Sequence, residues 1–252
     1  MDMIHYNNLA WYHEPDDETR EYFETWEDFK TNPSLADNVQ LTCDNDINNI
    51  IDNTCVPWVT MPDIPVPWQD IHKEAMALLE TECFTVHRAV GSGGWLSACI
   101  HGMSSVHTNC PEDYGLPDEA EEELSDWTDI SKFCPITKEW MQDEMLYEQF
   151  ARVRFMAVLP GGWIRPHRDT DRLAGLGATN VAINNPTNCN LVMEEYGTLP
   201  YTDGLVVKIN TGHNHAVWNR SNEPRIHMIF DGGPNDIFKN KVNENYAKMF
   251  NV

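Results

Sequence analysis

At 252 residues the chain can form one large domain, or a core domain with a substantial extension. A hydrophobic content of 41% with 23% charged residues excludes wholesale disorder. The net charge of −23 excludes a nucleic-acid backbone as main partner, since phosphate binding needs a basic footprint.

Seven scattered cysteines (Cys43, Cys55, Cys83, Cys99, Cys110, Cys134 and Cys189) include no Cys-x-x-Cys, so neither a zinc knuckle nor a thioredoxin-type site is suggested. The first residues lack a basic and apolar leader, and no apolar run approaches membrane-spanning length. The expectation is a reduced, soluble, cytoplasmic protein without membrane or nucleic-acid partners.

Residues 1–60 are rich in Asp, Glu and Asn, with aromatics interspersed. Tyr22, Trp26 and Phe29 fall at i, i+4, i+7, which predicts a short amphipathic helix over about 19–30 that lays its aromatics on the main body. Pro57, Pro62, Pro65 and Pro67 enforce an extended connector. A support helix should start near Pro67 and run to Glu82, burying Ile71, Ala75, Leu78 and Leu79.

Residues 84–90 and 95–101 alternate with a strand period, and the glycine-rich run 91–94 between them predicts a hairpin loop. That run lacks the Gly-Lys-Ser/Thr ending of a phosphate loop. Arg88, Trp95, His101 and His107 are polar or aromatic groups available to line a pocket, though surface or structural roles suit each of them as well. The acidic run 118–129 reads as a solvated face. Trp140, Met141, Met145 and Phe150 predict a second support helix over 137–150.

From Ala151 the texture changes to short β-like pieces at 151–157, 178–184, 188–194, 205–210, 216–219 and 224–230, separated by turn signals. Many short strands over about eighty residues predict a β-sandwich or small barrel. The expected organisation is a single catalytic domain over 1–252. It comprises a mixed helical and β part over 1–150, a metal-binding β core over 151–232 and a C-terminal tail over 233–252.

The chemistry-bearing stretch is Leu-Pro-Gly-Gly-Trp-Ile-Arg-Pro-His-Arg-Asp at 159–169. Residues two apart on a strand share a face, so His167 and Asp169 can converge. A neutral nitrogen and a hard anionic oxygen suit two of the three facial positions of a mid-series divalent metal such as Fe(II). The third ligand should be a histidine on a neighbouring strand downstream, and His215 fits, with His213 as an alternative. Arg225 lies ten residues beyond His215. If it opens the next antiparallel strand, its planar fork can grip a carboxylate in the same pocket.

With these motifs, namely Leu-Pro-Gly-Gly-x-Ile-x-Pro-His-Arg-Asp at 159–169, His-x-Val-x-Asn at 215–219 and Pro-Arg-Ile at 224–226, the chain resembles the aspartyl/asparaginyl β-hydroxylase-like branch of the Fe(II)- and 2-oxoglutarate-dependent oxygenases. The resemblance covers about residues 150–232. It implies a double-stranded β-helix (a cupin-like jelly roll) with helices packed outside, a mainly β fold of the α+β kind. It makes His167, Asp169 and His215 the iron ligands and Arg225 the anchor for the distal carboxylate of 2-oxoglutarate. Asn180 falls where the family often has a histidine that contacts a 2-oxoglutarate carboxylate.

The implied reaction uses O2 to hydroxylate an unactivated C–H bond of an amino acid, free or in a peptide, with succinate and CO2 as co-products. The occupied acidic position implies hydroxylation rather than halogenation. Arg165 and Arg168 flank the metal pair and could meet an anionic substrate or pair with nearby acids. Trp163 and Trp218 read as wall, and 170–179, with Gly175 and Gly177, as a lid. The rival readings are a non-catalytic cupin-like binding protein and a metal-dependent isomerase or dioxygenase, the latter having no need of Arg225.

Overall fold

The computed structural model describes residues 13–30, 56–88, 90–105, 125–143, 147–169 and 178–250. The first helix, α1 (Asp17–Trp26), starts two residues earlier than expected because Asp16 caps it, accepting from the Thr19 backbone N–H at 2.9 Å. β1 (Trp58–Met61) lies within the proline connector, and α2 (Trp68–Glu80) is the predicted support helix, with Ile71, Ala75, Leu78 and Leu79 buried.

β2 (Thr85–Val86) pairs with β3 (Ser92–Gly102), but the glycine run is not the loop between them. Gly93 and Gly94 lie inside β3, at a bulge in its pairing with the neighbouring strand. A Cβ on Gly93 would stand 2.7 Å from the Trp163 indole nitrogen, so glycine here permits close packing of strand on strand.

β4 (Asp126–Trp127) and a 3₁₀ turn over Asp129–Phe133 precede α3 (Pro135–Asp143). Residues 118–124 of the acidic run, His107, and 170–177 of the expected lid lie outside the described residues. The second support helix is shorter than its periodicity suggests. Tyr147 and Phe150 belong instead to β5 (Tyr147–His167), where Tyr147 packs against Phe230 and Phe238.

β6 (Thr179–Asn184), β7 (Cys189–Met193), β9 (Val206–Ile209), β10 (His215–Asn219) and β11 (Arg225–Pro234) match the expected pieces closely, while the two-residue β8 (Gly197–Thr198) was not expected. Residues 233–252, expected as a tail, contain α4 (Asp236–Phe250), which buries Phe238, Val242 and Tyr246 completely.

Strand pairing makes this a double-stranded β-helix. The first half of β5 pairs with β11 as far as Val158, and the strands run on in the order β11-β6-β9-β1. The second half, from Trp163, pairs with β10, followed by β7 and β8. β5 thus passes from a large sheet into a small one through Pro160-Gly161-Gly162, where Gly161 adopts φ +73°. All pairings are antiparallel.

Alternation sorts the side chains into layers. Val153, Phe155, Ala157, Ile226, Met228 and Phe230 face outward beneath α2, α3 and α4. Val158, Ile164, Leu191, Met193, Val207 and Val217 fill the space between the two sheets. α1 covers the outer face of the small sheet with Tyr22 and Phe23 on Val192 and Ala216. Among the described residues no helix is long and apolar enough to cross a membrane, and Cys83, Cys99, Cys134 and Cys189 are free thiols.

Candidate metal centre

His167 ends β5 and His215 begins β10, and the two are direct partners across the antiparallel ladder, with ring centroids 4.4 Å apart. Each ring is fixed in the same way. His167 Nδ1 lies 2.9 Å from the Arg165 carbonyl, and His215 Nδ1 lies 2.9 Å from the His213 carbonyl. A carbonyl only accepts, so Nδ1 carries a proton in both rings, and Nε2 is the nitrogen turned to the ligand position. Asp169 follows on the chain, its backbone N–H donating to the Thr211 carbonyl at 3.0 Å.

One ligating atom from each of His167, Asp169 and His215 lies within 4.8 Å of the other two. Burial, reinforced by the neighbouring His167, pushes the His215 pKa down to about 4, which keeps its imidazole neutral near physiological pH. Burial works against ionisation of Asp169, but the adjacent His167 and His215 rings hold its carboxyl well below the usual carboxylate range. Two imidazole nitrogens and one carboxylate on one spot suit Fe(II) in a facial arrangement. The donor set therefore fits such an ion.

Arg225, first residue of β11, lies on the face opposite Ile226, in the space between the sheets, with its guanidinium 5.8 Å from the Tyr201 ring. It is 3% exposed. Burial lowers its pKa, and the groups that act to raise it, Cys189 and Tyr201, are not carboxylates. Its Nε is buried and has no hydrogen-bond partner among the described residues. A buried guanidinium among neutral neighbours is costly by itself and suits an incoming carboxylate.

The other expected site residues separate clearly. Asn180 is buried on β6, with its side-chain oxygen 2.7 Å from His227 Nδ1. The His213 ring turns to Tyr196, at 5.2 Å, and is not in the His167–Asp169–His215 group. Trp95 lies on the inner side with its ring 6.3 Å from His167 and 4.4 Å from His87, and Arg88 stands 6.0 Å over it. His101 packs on Trp127 and meets the Ala151 carbonyl at 3.3 Å, a structural placement.

Arg165 and Arg168 are exposed. Trp163 and Trp218, expected as wall, are paired on the outer face of the small sheet, where Trp163 donates to the His13 carbonyl at 2.8 Å and Trp218 stacks edge-on with Phe23 beneath α1. The sequence reading passed over His227 and Tyr201, which crowd Arg225. The Arg-x-His spacing on a strand was the available signal for His227, since it places both side chains on one face.

A family model described as aspartyl/asparaginyl β-hydroxylase matches residues 66–233, more than half of the chain. No curated protein matches it in sequence. Solved structures similar to it include an oxidoreductase of the 2OG-Fe(II) oxygenase family from Burkholderia pseudomallei, at 11% identity over 79% of this chain and 96% of that one, with a TM-score of 0.45. A prolyl-4-hydroxylase from Pseudomonas putida is 15% identical over 74% and 99% of the two chains, with a TM-score of 0.41. A prolyl hydroxylase from Trichoplax adhaerens, in complex with a hypoxia inducible factor oxygen degradation domain peptide fragment, is 11% identical over 80% and 91%, with a TM-score of 0.42.

Proposed function

The chain belongs to the aspartyl/asparaginyl β-hydroxylase family, and from that premise we propose that it is an Fe(II)- and 2-oxoglutarate-dependent dioxygenase. It hydroxylates an unactivated C–H bond of an amino acid, free or as a side chain in a peptide. One observation carries the reading: a His-Asp-His group and a buried guanidinium without an acidic partner among the described residues share one β-helix.

His167, Asp169 and His215 are the residues that would hold iron, and Arg225 would hold the distal carboxylate of 2-oxoglutarate. When bound, the metal and co-substrate supply the oxidising chemistry: O2 and 2-oxoglutarate yield succinate, CO2 and one hydroxyl on the substrate carbon. The protein's own part is positional. The two backbone carbonyls hold the histidine rings with Nε2 turned to the ligand position, and Asp169 contributes the single anionic oxygen. Arg225 fixes the far end of the co-substrate, and the apolar residues between the sheets restrict water. The aromatic and basic group of Trp95, His87 and Arg88 forms the side of the centre where a substrate would approach.

The test is succinate release by iron-loaded protein given 2-oxoglutarate, ascorbate and air, with a panel of amino acids and peptides. Release stimulated by one member and abolished in His167→Ala is the expected result. If neither iron nor 2-oxoglutarate binds, the oxygenase reading is wrong and a binding-module role takes its place.

A further inference from the structure

His227 touches Arg225 and has no part in the chemistry described above. It is fully buried on β11, two residues from Arg225 and on the same face. Its Nδ1 lies 2.9 Å from Arg225 Nη2. A guanidinium can only donate, so this nitrogen must be the acceptor and the ring proton must sit on Nε2. Nε2 in turn lies 3.1 Å from Asn185 Oδ1, which takes that proton's hydrogen bond. Asn180 stands 2.7 Å from the same Nδ1, and with its NH2 end turned toward the ring it shares that nitrogen's one lone pair with Arg225. Tyr201 closes the remaining side, with ring centroids 4.6 Å apart and edge to face. Burial and the Arg225 charge push the imidazole pKa well below its ordinary value, so the ring is neutral.

A neutral acceptor does something at this place that other side chains cannot. An aspartate would grip the guanidinium equally well but cancel its charge. A leucine would leave the donor unsatisfied and the arginine free to turn. Histidine fixes one arm of the fork and leaves the whole positive charge and the other donors for a ligand. We propose that His227, locked by Asn180 and Asn185, is a positioning residue that presents Arg225 to the distal carboxylate of 2-oxoglutarate. It thereby sets the preference for a dicarboxylate over a monocarboxylate keto acid. The inference rests on Arg225 being the co-substrate anchor, and it assigns Asn180 a role through His227 rather than on the co-substrate directly.

The experiment is anaerobic calorimetric titration of full-length, Mn(II)-loaded protein with two probes, 2-oxoglutarate and 2-oxopentanoate. The second keeps the keto-acid head but has no distal carboxylate. His227→Leu is expected to weaken 2-oxoglutarate about 10- to 100-fold, the scale of one hydrogen bond to a charged group, and to leave 2-oxopentanoate unchanged. His227→Gln restores a neutral acceptor and should recover most of the loss. His227→Asp should bind 2-oxoglutarate worst of all, because it keeps the hydrogen bond but removes the charge. Should His227→Leu not fold, as judged by its melting transition, Asn185→Ala serves instead. It removes only the Nε2 partner, and several-fold weakening confined to 2-oxoglutarate is expected.

Equal 2-oxoglutarate affinity in wild type and His227→Leu would overturn the proposal, as would a parallel loss of both probes in the Leu and Gln variants. A wild-type protein that binds 2-oxopentanoate but gains nothing from the distal carboxylate would instead overturn the reading of Arg225, and this inference with it.

Discussion

His167 and His215 stand opposite each other in the β5–β10 ladder, and each donates Nδ1–H to the carbonyl two residues before it. The pairing is a consequence of strand register. A slip of one residue in β10 would turn His215 to the outer face and break the group. Orientation by backbone carbonyls turns both Nε2 atoms to the ligand position, with Asp169 beside them.

Metal retention should follow this geometry. His167→Ala and His215→Ala are each expected to lose stoichiometric Fe(II) or Mn(II), measured by metal analysis after dialysis, and to lose the metal-induced rise in melting temperature. His213→Ala should retain the metal, since its ring faces Tyr196. Loss of metal in the His213 variant, with retention in His215→Ala, would reverse the assignment.

Arg225 makes a different prediction. Its removal should leave the metal in place and weaken 2-oxoglutarate by about 2–5 kcal/mol, the cost of truncating one partner of a buried charged hydrogen bond. Arg225→Lys should recover little of this, because a point charge does not reproduce the planar fork. The measurement is the KM for 2-oxoglutarate alongside metal content. Equal losses of both would show that the substitution collapses the centre.

Most of the β core was legible because its strands are short, alternating and bounded by Gly, Pro or Asn turns; β5 is the exception, running 21 residues through the Pro160-Gly161-Gly162 corner to His167, with Asp169 just beyond its end. Tyr147–Phe150 was misread because Trp140, Met141, Met145 and Phe150 keep a helical period across the end of α3. What decides the state there is pairing of Tyr147 and Phe150 with β11, a long-range contact that no local window contains. The glycine run was misread for a similar reason: its glycines serve the approach of Trp163, seventy residues away in sequence. His227 escaped notice because a buried histidine on an apolar strand looks like core. Only the position of Arg225 on the same face shows its use.

The corner in β5 gives a third prediction. At Gly162 a Cβ would stand 2.7 Å from the Leu159 carbonyl oxygen and 2.8 Å from that of Gly93. Both obstacles are backbone, so neither can rotate away. Gly162→Ala should cost about 1–3 kcal/mol in urea unfolding, as for other overpacked sites. Because this corner delivers His167 to its place opposite His215, metal affinity should fall as well. A variant of unchanged stability would mean that the two sheets can shift apart there without cost.

Lys208 carries the last prediction. It is 2% exposed on β9, on the face opposite Val207 and Ile209, and burial pushes its pKa from 10.5 down to about 8 despite the opposing pull of Asp231. The folded state therefore binds this proton less tightly than the unfolded chain. The destabilisation is present in full below pH 8 and relieved as pH rises toward 10.5, where the unfolded chain loses the same proton. Lys208→Met should be more stable than wild type below pH 8, by up to about 3 kcal/mol. That advantage should shrink steadily between pH 8 and 10.5. Burial also raises the thiols of Cys134 to about 12 and Cys189 to about 11, which lowers stability above their ordinary value of 9.0, but both proteins share that effect and it cancels in the difference. Urea melts of the pair across this range give the test. A stability difference independent of pH would show that the buried ammonium is fully compensated by its neighbours.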